Sequence, residues 1–381
     1  MVKSLLTVIL RMKKFFETIT DKRQPWKVKH NLQEIVIMTI CAVISGCEYW
    51  EDITDFCKVK EQWFREKMSL RLENGIASHD TFQRVFAMIK PSELEACFIS
   101  WIKSIQRQIQ GEIVSIDGKT LCGSRNEEDH VIHMVSAWAN QNQLVLGQIK
   151  TADKSNEIKA IPQLLDLLEI KGCLVTIDAM GFQTKIAEKV VAQEADYLFS
   201  LKENQTQLHE DIRRYFESAM KEPHFYEDVQ KTKTSEKGHG RFEKRSYFLT
   251  EEIDWLYSRD KWENLNAIGM VRSVVERKGT VTEETRFFIT SVTDIQLFAK
   301  AVRAHWGMEN SLHWCLDVVF HEDDCQVKIN NCAENFAVIR HIALNILKNH
   351  PVKEGMSLAR RRRKCAYDAD FMADVLLAAF S

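Results

Sequence analysis

No Cys-x-x-Cys pair occurs among the ten cysteines of this 381-residue chain, which stand at 41, 47, 57, 97, 122, 173, 315, 325, 332 and 365. In a chain this long, such scatter argues against a disulfide framework. Cys41 and Cys173 fall inside apolar patterns, where a free thiol is a small hydrophobe. The expected compartment is therefore reducing, hence cytoplasmic. A strong charge of either sign is missing as well: the formal net charge is −2. No global positive field draws the chain to nucleic acid, although local basic stretches can still carry phosphate contacts. No apolar run approaches the ~20 residues that span a bilayer; the longest is Ile35 to Cys47. The start, Met1 to Phe16, has Arg11, Lys13 and Lys14 but no small-residue cleavage site, and reads as an amphipathic helix. Internal repeats and low-complexity linkers are absent.

What is present is ordinary globular composition, 45% apolar and 28% charged, with room for two or three domains. The pattern is helical over 1–108, with a buried helix from Leu32 and an amphipathic one from Trp50 to Trp63. Asn74-Gly75 breaks it, and Ser78 caps a helix bearing Thr81, Gln83 and Arg84. That helix reads first as a packing helix and second as the recognition helix of a helix-turn-helix.

From about 111 the period changes. Strands are expected at Ile113–Asp117, His133–Trp138 and Gln143–Lys150, then a helix from Ser155 to Glu169, a strand Cys173–Asp178, a helix Gln183–Gln193 and a strand Tyr197–Lys202. Three meandering strands followed by helix, strand, helix, strand is the order of a ribonuclease H-like α/β core. Its first part is expected over 109–204, a β-rich insertion over 205–294, core completion over 295–350 with a long acidic helix from about Ile295 to Asp317 and a further helical pattern from Ala333 to Lys348, and a basic tail over 351–381.

Two aspartates sit in matching frames, Val-Ser-Ile-Asp117-Gly-Lys and Val-Thr-Ile-Asp178-Ala-Met. Each frame is rich in β-branched residues and reads as a buried strand. A carboxylate there is costly unless its charge is compensated, and a divalent metal compensates two at once. The third acid is sought at Glu309, because His305, Glu309, His313 and Asp317 recur every four residues along one helical stripe. Magnesium takes hard oxygen ligands and keeps waters and phosphate in its shell. Two such ions ~3.5–4 Å apart promote in-line displacement at phosphorus. Zinc on His305, Glu309 and His313 is a weaker reading, since it leaves both strand aspartates unused.

These segments resemble a known family. Ile116-Asp-Gly-Lys-Thr, Ile177-Asp-Ala-Met-Gly-Phe-Gln, Tyr197-Leu-Phe-Ser-Leu-Lys-Glu-Asn-Gln205 and His305-Trp-Gly-Met-Glu-Asn-Ser-Leu-His-Trp-Cys-Leu-Asp317 look like a DDE transposase of bacterial insertion sequences. The nearest branch is the H-repeat-associated proteins linked to Rhs elements. The resemblance covers nearly the whole chain. It implies a ribonuclease H-like core with a β-strand insertion before the last acidic helix, and two magnesium ions, with manganese as a substitute, held by Asp117, Asp178 and Glu309. Lys202 matches a position near the DNA backbone. The family's signature places Arg four residues before the glutamate and Lys seven after it; here His305 and Leu316 stand there. The phosphate contacts then fall to His305, Arg303 or Lys328.

The expectation is a transposase that nicks element ends and joins them to target DNA, working on double-stranded DNA as at least a homodimer and without a membrane. Candidate DNA contacts are Lys202, Arg303, His305, His313 and Arg84, with Arg241, Lys244 and Arg361 from the basic stretches Lys231–Arg245 and Arg360–Lys364. Charge runs are more often solvated faces. The alternatives are a DNA-binding regulator or relic without chemistry, and a plain nuclease of the same fold.

Overall fold

Helices fill the chain up to Ile105 and strands begin at Ile113, so the change of period marks a change of architecture. The computed structural model describes residues 5–105, 110–124, 131–151, 156–181, 183–202, 205–221, 229–238, 240–351 and 355–380. Ser155, Phe182, Glu203, Asn204 and His239, all within segments singled out above, lie outside the described residues.

The first six helices are α1 (Leu5–Phe15), α2 (Leu32–Ile44), α3 (Trp50–Val59), α4 (Glu61–Glu66), α5 (His79–Met88) and α6 (Pro91–Ile105). The Asn31 side chain opens α2 by accepting from the Glu34 N–H, the usual way of satisfying a free first-turn donor. Apolar residues surround α2 on all sides, and it is buried along its whole length. The α5 helix turns Phe82, Val85 and Phe86 inward, with Phe86 against Trp50 at a centroid distance of 5.2 Å. Arg84 is left exposed on its outer side.

The sheet begins with β1 (Ile113–Leu121), β2 (Ile132–Ala139) and β3 (Leu144–Thr151), then α7 (Glu157–Leu167), β4 (Leu174–Ile177), α8 (Thr184–Ala192) and β5 (Asp196–Leu201). β1 pairs antiparallel with β2 and parallel with β4, which pairs parallel with β5. This is the ribonuclease H-like order expected from the sequence. The later strands are β6 (Gln230–Gly238), β7 (Arg241–Thr250), β8 (Ala267–Arg277) and β9 (Thr280–Thr290). They extend the same sheet, because β9 pairs with β5; the full order is β3-β2-β1-β4-β5-β9-β8-β7-β6. One helix departs from the β-rich insertion expected over 205–294. α9 (Thr206–Ala219) precedes β6 and buries Leu208, Ile212 and Phe216. β6 is an edge strand carrying Lys231, Lys233 and Lys237, charges that discourage edge-to-edge pairing.

Two helices complete the layers. α10 (Ile295–Met308) is capped by Asp294, whose carboxylate accepts from the Gln296 and Leu297 N–H groups at 2.9 and 3.3 Å. It lies across the sheet with Phe298 edge-on to Phe288 at 5.6 Å. A Cβ on Gly269 would stand 2.4 Å from the Phe298 ring, so only glycine lets α10 approach β8. α11 (Cys332–Asn349) is buried almost throughout and joins the helical region to the β3 edge. The Asn345 amide accepts from the Val145 N–H at 2.9 Å and donates to the Val145 carbonyl at 2.8 Å. Glu95 of α6 accepts from the Gln148 N–H at 3.0 Å. Side chains thus take the place of a neighbouring strand along β3.

The chain ends in α12 (Leu358–Tyr367) and α13 (Ala369–Phe380), and α12 contains the basic run. Arg362 is buried, pairs with Glu48 at 2.8 Å and donates to the Val43 and Val319 carbonyls. Arg361 donates to the Leu347 carbonyl at 2.8 Å and to Met356 at 3.2 Å. This part of the run pins the tail to the core and is not a solvated face, because the carbonyls ending α2 and α11 need donors. All ten cysteines are free. Among the described residues, no helix is long and apolar enough to cross a membrane.

Candidate active site

Parallel pairing brings the two aspartates side by side. Ser115 lies beside Thr176 and Ile116 beside Ile177, so the next residue on each chain is an aspartate. Asp117 remains in β1, paired to Ser136 of β2. Asp178 follows the last residue of β4 and starts a tight turn. Sites in open α/β sheets form outside the carboxyl ends of such strands. On the other face of β1, a Cβ at Gly118 would come 2.3 Å from the Glu157 carboxylate, which would have to move aside.

Glu309 arrives from above. The helix does not run regularly from 295 to 317, as the sequence suggested; after Met308 it widens into π turns at Glu309–His313 and Cys315–Val319. In an α-helix, residues four apart overshoot a full turn by ~40°. Wider turns cancel that drift, so the stripe follows the sheet. His305 bonds Thr176 of β4 at 2.9 Å, Glu309 and His313 face Asp117, and Asp317 pairs with Lys119 of β1.

Donor atoms of Asp117, Glu309 and His313 all lie within 4.8 Å of one another. His313 Nδ1 is 2.9 Å from Glu309 Oε2 and 3.9 Å from Asp117 Oδ2. Octahedral magnesium with bonds of ~2.0–2.1 Å separates its ligands by roughly 3–4 Å, so small side-chain rotations suffice for the set to fit a divalent cation. Asp178 stands apart from this trio. Its carboxylate accepts from the Ala179 N–H, and Lys202 Nζ lies 3.2 Å away. It nevertheless lines the same cleft of about 850 Å³ as Asp117 and Glu309.

The proposed cations around the cleft are differently placed. Lys202 is exposed beside Asp178. Arg303 is bound by both oxygens of Glu236, at 2.9 and 2.7 Å. Burial pulls the His305 imidazole below its ordinary pKa, against the opposite pull of Asp117 and Asp178, so it is a neutral hydrogen-bonding group near neutral pH. His313 is buried against the acids. Arg241 and Lys244 are exposed on β7, Arg241 within 3.6 Å of Glu243 and Lys244 over the Phe242 ring at 5.2 Å. Lys328 is exposed outside the cleft lining.

Sequence reasoning missed three residues. Arg286 of β9 lines the cleft with its guanidinium 4.4 Å from the Trp306 ring centre. His209 of α9 lines it too. Lys119 is nearly buried among Asp317, Glu322 at 2.8 Å and Asp323 at 3.9 Å. Burial would lower the Lys119 pKa, but Glu322 and Asp317 outweigh it and hold the ammonium above its ordinary range. Only the Asp-Gly-Lys spacing could have flagged Lys119, since residues two apart on a strand share a face.

The family described as transposase DDE domain matches residues 109–346, and its companion, DDE_Tnp_1-associated, matches 13–102. The "H repeat-associated putative transposase YhhI" of Escherichia coli (strain K12) is 42% identical over 378 residues, covering 96% of this chain and 98% of that protein. The "Putative transposase YncI" of Escherichia coli O157:H7 is 38% identical over 373 residues, 95% of this chain and 93% of that one. Among solved structures, a piggyBac transposase synaptic complex with hairpin DNA aligns with 97% of this chain and 81% of its own, at 9% identity and a TM-score of 0.43. With both family segments matched in order and relatives alike from end to end, the chain belongs to the DDE transposases, in their H repeat-associated branch.

Proposed function

We propose that this chain cleaves DNA at the ends of its own element and joins the freed ends to target DNA, with Asp117, Asp178 and Glu309 as the catalytic carboxylates. The observation that carries this is the convergence of these three acids, from β1, the end of β4 and the turns after α10, on one open cleft. Asp117 and Glu309 would hold the divalent cation, magnesium or manganese, and Asp178 would share it after releasing Lys202. Such a cation, when bound, neutralises charge on the reacting phosphate and favours the ionised form of the attacking oxygen. The protein's own part is to position. Lys202 and Arg286 offer the DNA backbone cationic donors at the cleft. His305, neutral and fixed by Thr176, holds the wall between the two aspartates. Arg84, Arg241 and Lys244 are proposed as backbone contacts farther out, and a homodimer would bring two ends together.

The test is cleavage of a labelled duplex carrying the repeat that flanks this gene, in magnesium, by the wild type and by Glu309→Gln. Cutting by the wild type alone is the expected result. Binding by both with cutting by neither would instead identify a regulator, and cutting without joined products a nuclease.

A further inference from the structure

Resting on the metal-dependent reading above, we infer that His313 is itself a metal ligand, so that one cation is held by Asp117, Glu309 and an imidazole nitrogen rather than by carboxylates alone. Three observations support this. His313 Nδ1 stands between the two acids, 2.9 Å from Glu309 Oε2 and 3.9 Å from Asp117 Oδ2, where a cation would touch all three. The ring is buried and stands on the π turn that also carries Glu309. Finally, Nε2 is buried with no partner among the described residues, so Nδ1 is the ring nitrogen directed at the acids.

Nδ1–H donates to Glu309 here. A cation held by the Nδ1 lone pair would take the place of that hydrogen bond, with the ring proton on Nε2. Imidazole suits zinc, copper, iron and nickel, whereas magnesium and manganese favour oxygen ligands. The single imidazole should therefore count least for magnesium, and two carboxylates remain to hold either ion.

The experiment uses the full chain with manganese alone, read by pulsed electron paramagnetic resonance for nitrogen coupled to the bound ion. Wild type should show one imidazole-type coupling that persists in His305→Gln and disappears in His313→Gln. The latter variant should also lose at least ~10-fold in manganese affinity, with a smaller loss for magnesium measured by competition. Bound manganese without nitrogen coupling in the wild type would overturn the inference and leave His313 as a hydrogen-bond partner of Glu309. A coupling that survives in His313→Gln would overturn it equally. The wild-type spectrum decides even if the variant folds poorly. DNA cleavage without nitrogen coupling would sink this inference alone, whereas failure of any manganese to bind would sink the metal-dependent reading with it.

Discussion

Single residues around Asp117 divide into those that face the cleft and those that hold the cleft in place. Lys119 belongs to the second group: it neutralises Glu322, which is almost fully buried, and ties β1 to the end of the π turns. Lys119→Met would leave Glu322 and Asp317 without their cation, a kind of loss that costs ~3–5 kcal/mol. A lowered urea midpoint is expected; an unchanged one would mean Arg340, 3.9 Å from Glu322, compensates alone.

Two other buried groups give stability a pH dependence. Burial pushes the His341 imidazole down to about 4, while an unfolded imidazole titrates near ~6.5. The unfolded chain therefore binds the proton first, and stability is lost as pH falls through that window. Burial pushes the Glu95 carboxyl up to about 8, against ~4.3 unfolded. Here the folded chain keeps a proton that the unfolded chain has released, and stability is lost as pH rises from ~4.3 to about 8. At ~1.4 kcal/mol per unit, Glu95→Gln should gain a few kcal/mol on the alkaline side, and His341→Phe should flatten the acid slope. Urea midpoints against pH read both. An alkaline slope unchanged in Glu95→Gln would show that the carboxyl is already ionised in the fold.

At this scale the aspartates were legible in the sequence because each follows its own β-branched run. Lys119 was not, since its partner Asp317 lies 198 residues away. Arg286 was hidden for the same reason: nothing local in β9 shows that Trp306 will stack on it.

At the scale of elements, α11 acts on β3 as a neighbouring strand would. Asn345→Leu would leave the buried Val145 N–H and carbonyl unpaired, each worth ~1–3 kcal/mol. Amide exchange at Val145 should quicken and the melting temperature fall; protection equal to wild type would mean the amide is satisfied elsewhere. Core strands were readable because β-branched runs and turns alternate regularly. β6 was not, since most of its side chains are exposed and no apolar face marks its period. α9 carried a signal that was overlooked, Leu208, Ile212 and Phe216 at four-residue steps. The π turns had no signal, because i, i+4 spacing fits either kind of helix over two turns.

At the scale of the whole molecule, the nine strands among the described residues form one sheet that carries the cleft at its middle, where β1, β4 and β5 meet α10. The core half of that sheet could be read from strand order. Its continuation through β9 could not, because pairing between distant strands is not written in local pattern. With a net charge of −2, affinity for DNA has to come from cations arranged around this cleft rather than from the overall field.

Of the three proposed catalytic positions, Asp178 stands apart from the other acids, with Lys202 Nζ 3.2 Å from its carboxylate. The most direct measurement is thus cleavage of the terminal-repeat duplex in magnesium by Asp178→Asn, with binding to the same duplex measured alongside. Wild-type binding with cleavage reduced at least ~1000-fold, roughly 4 kcal/mol of transition-state stabilisation, is expected if three carboxylates act together. Cleavage at the wild-type rate by Asp178→Asn would contradict the three-carboxylate site.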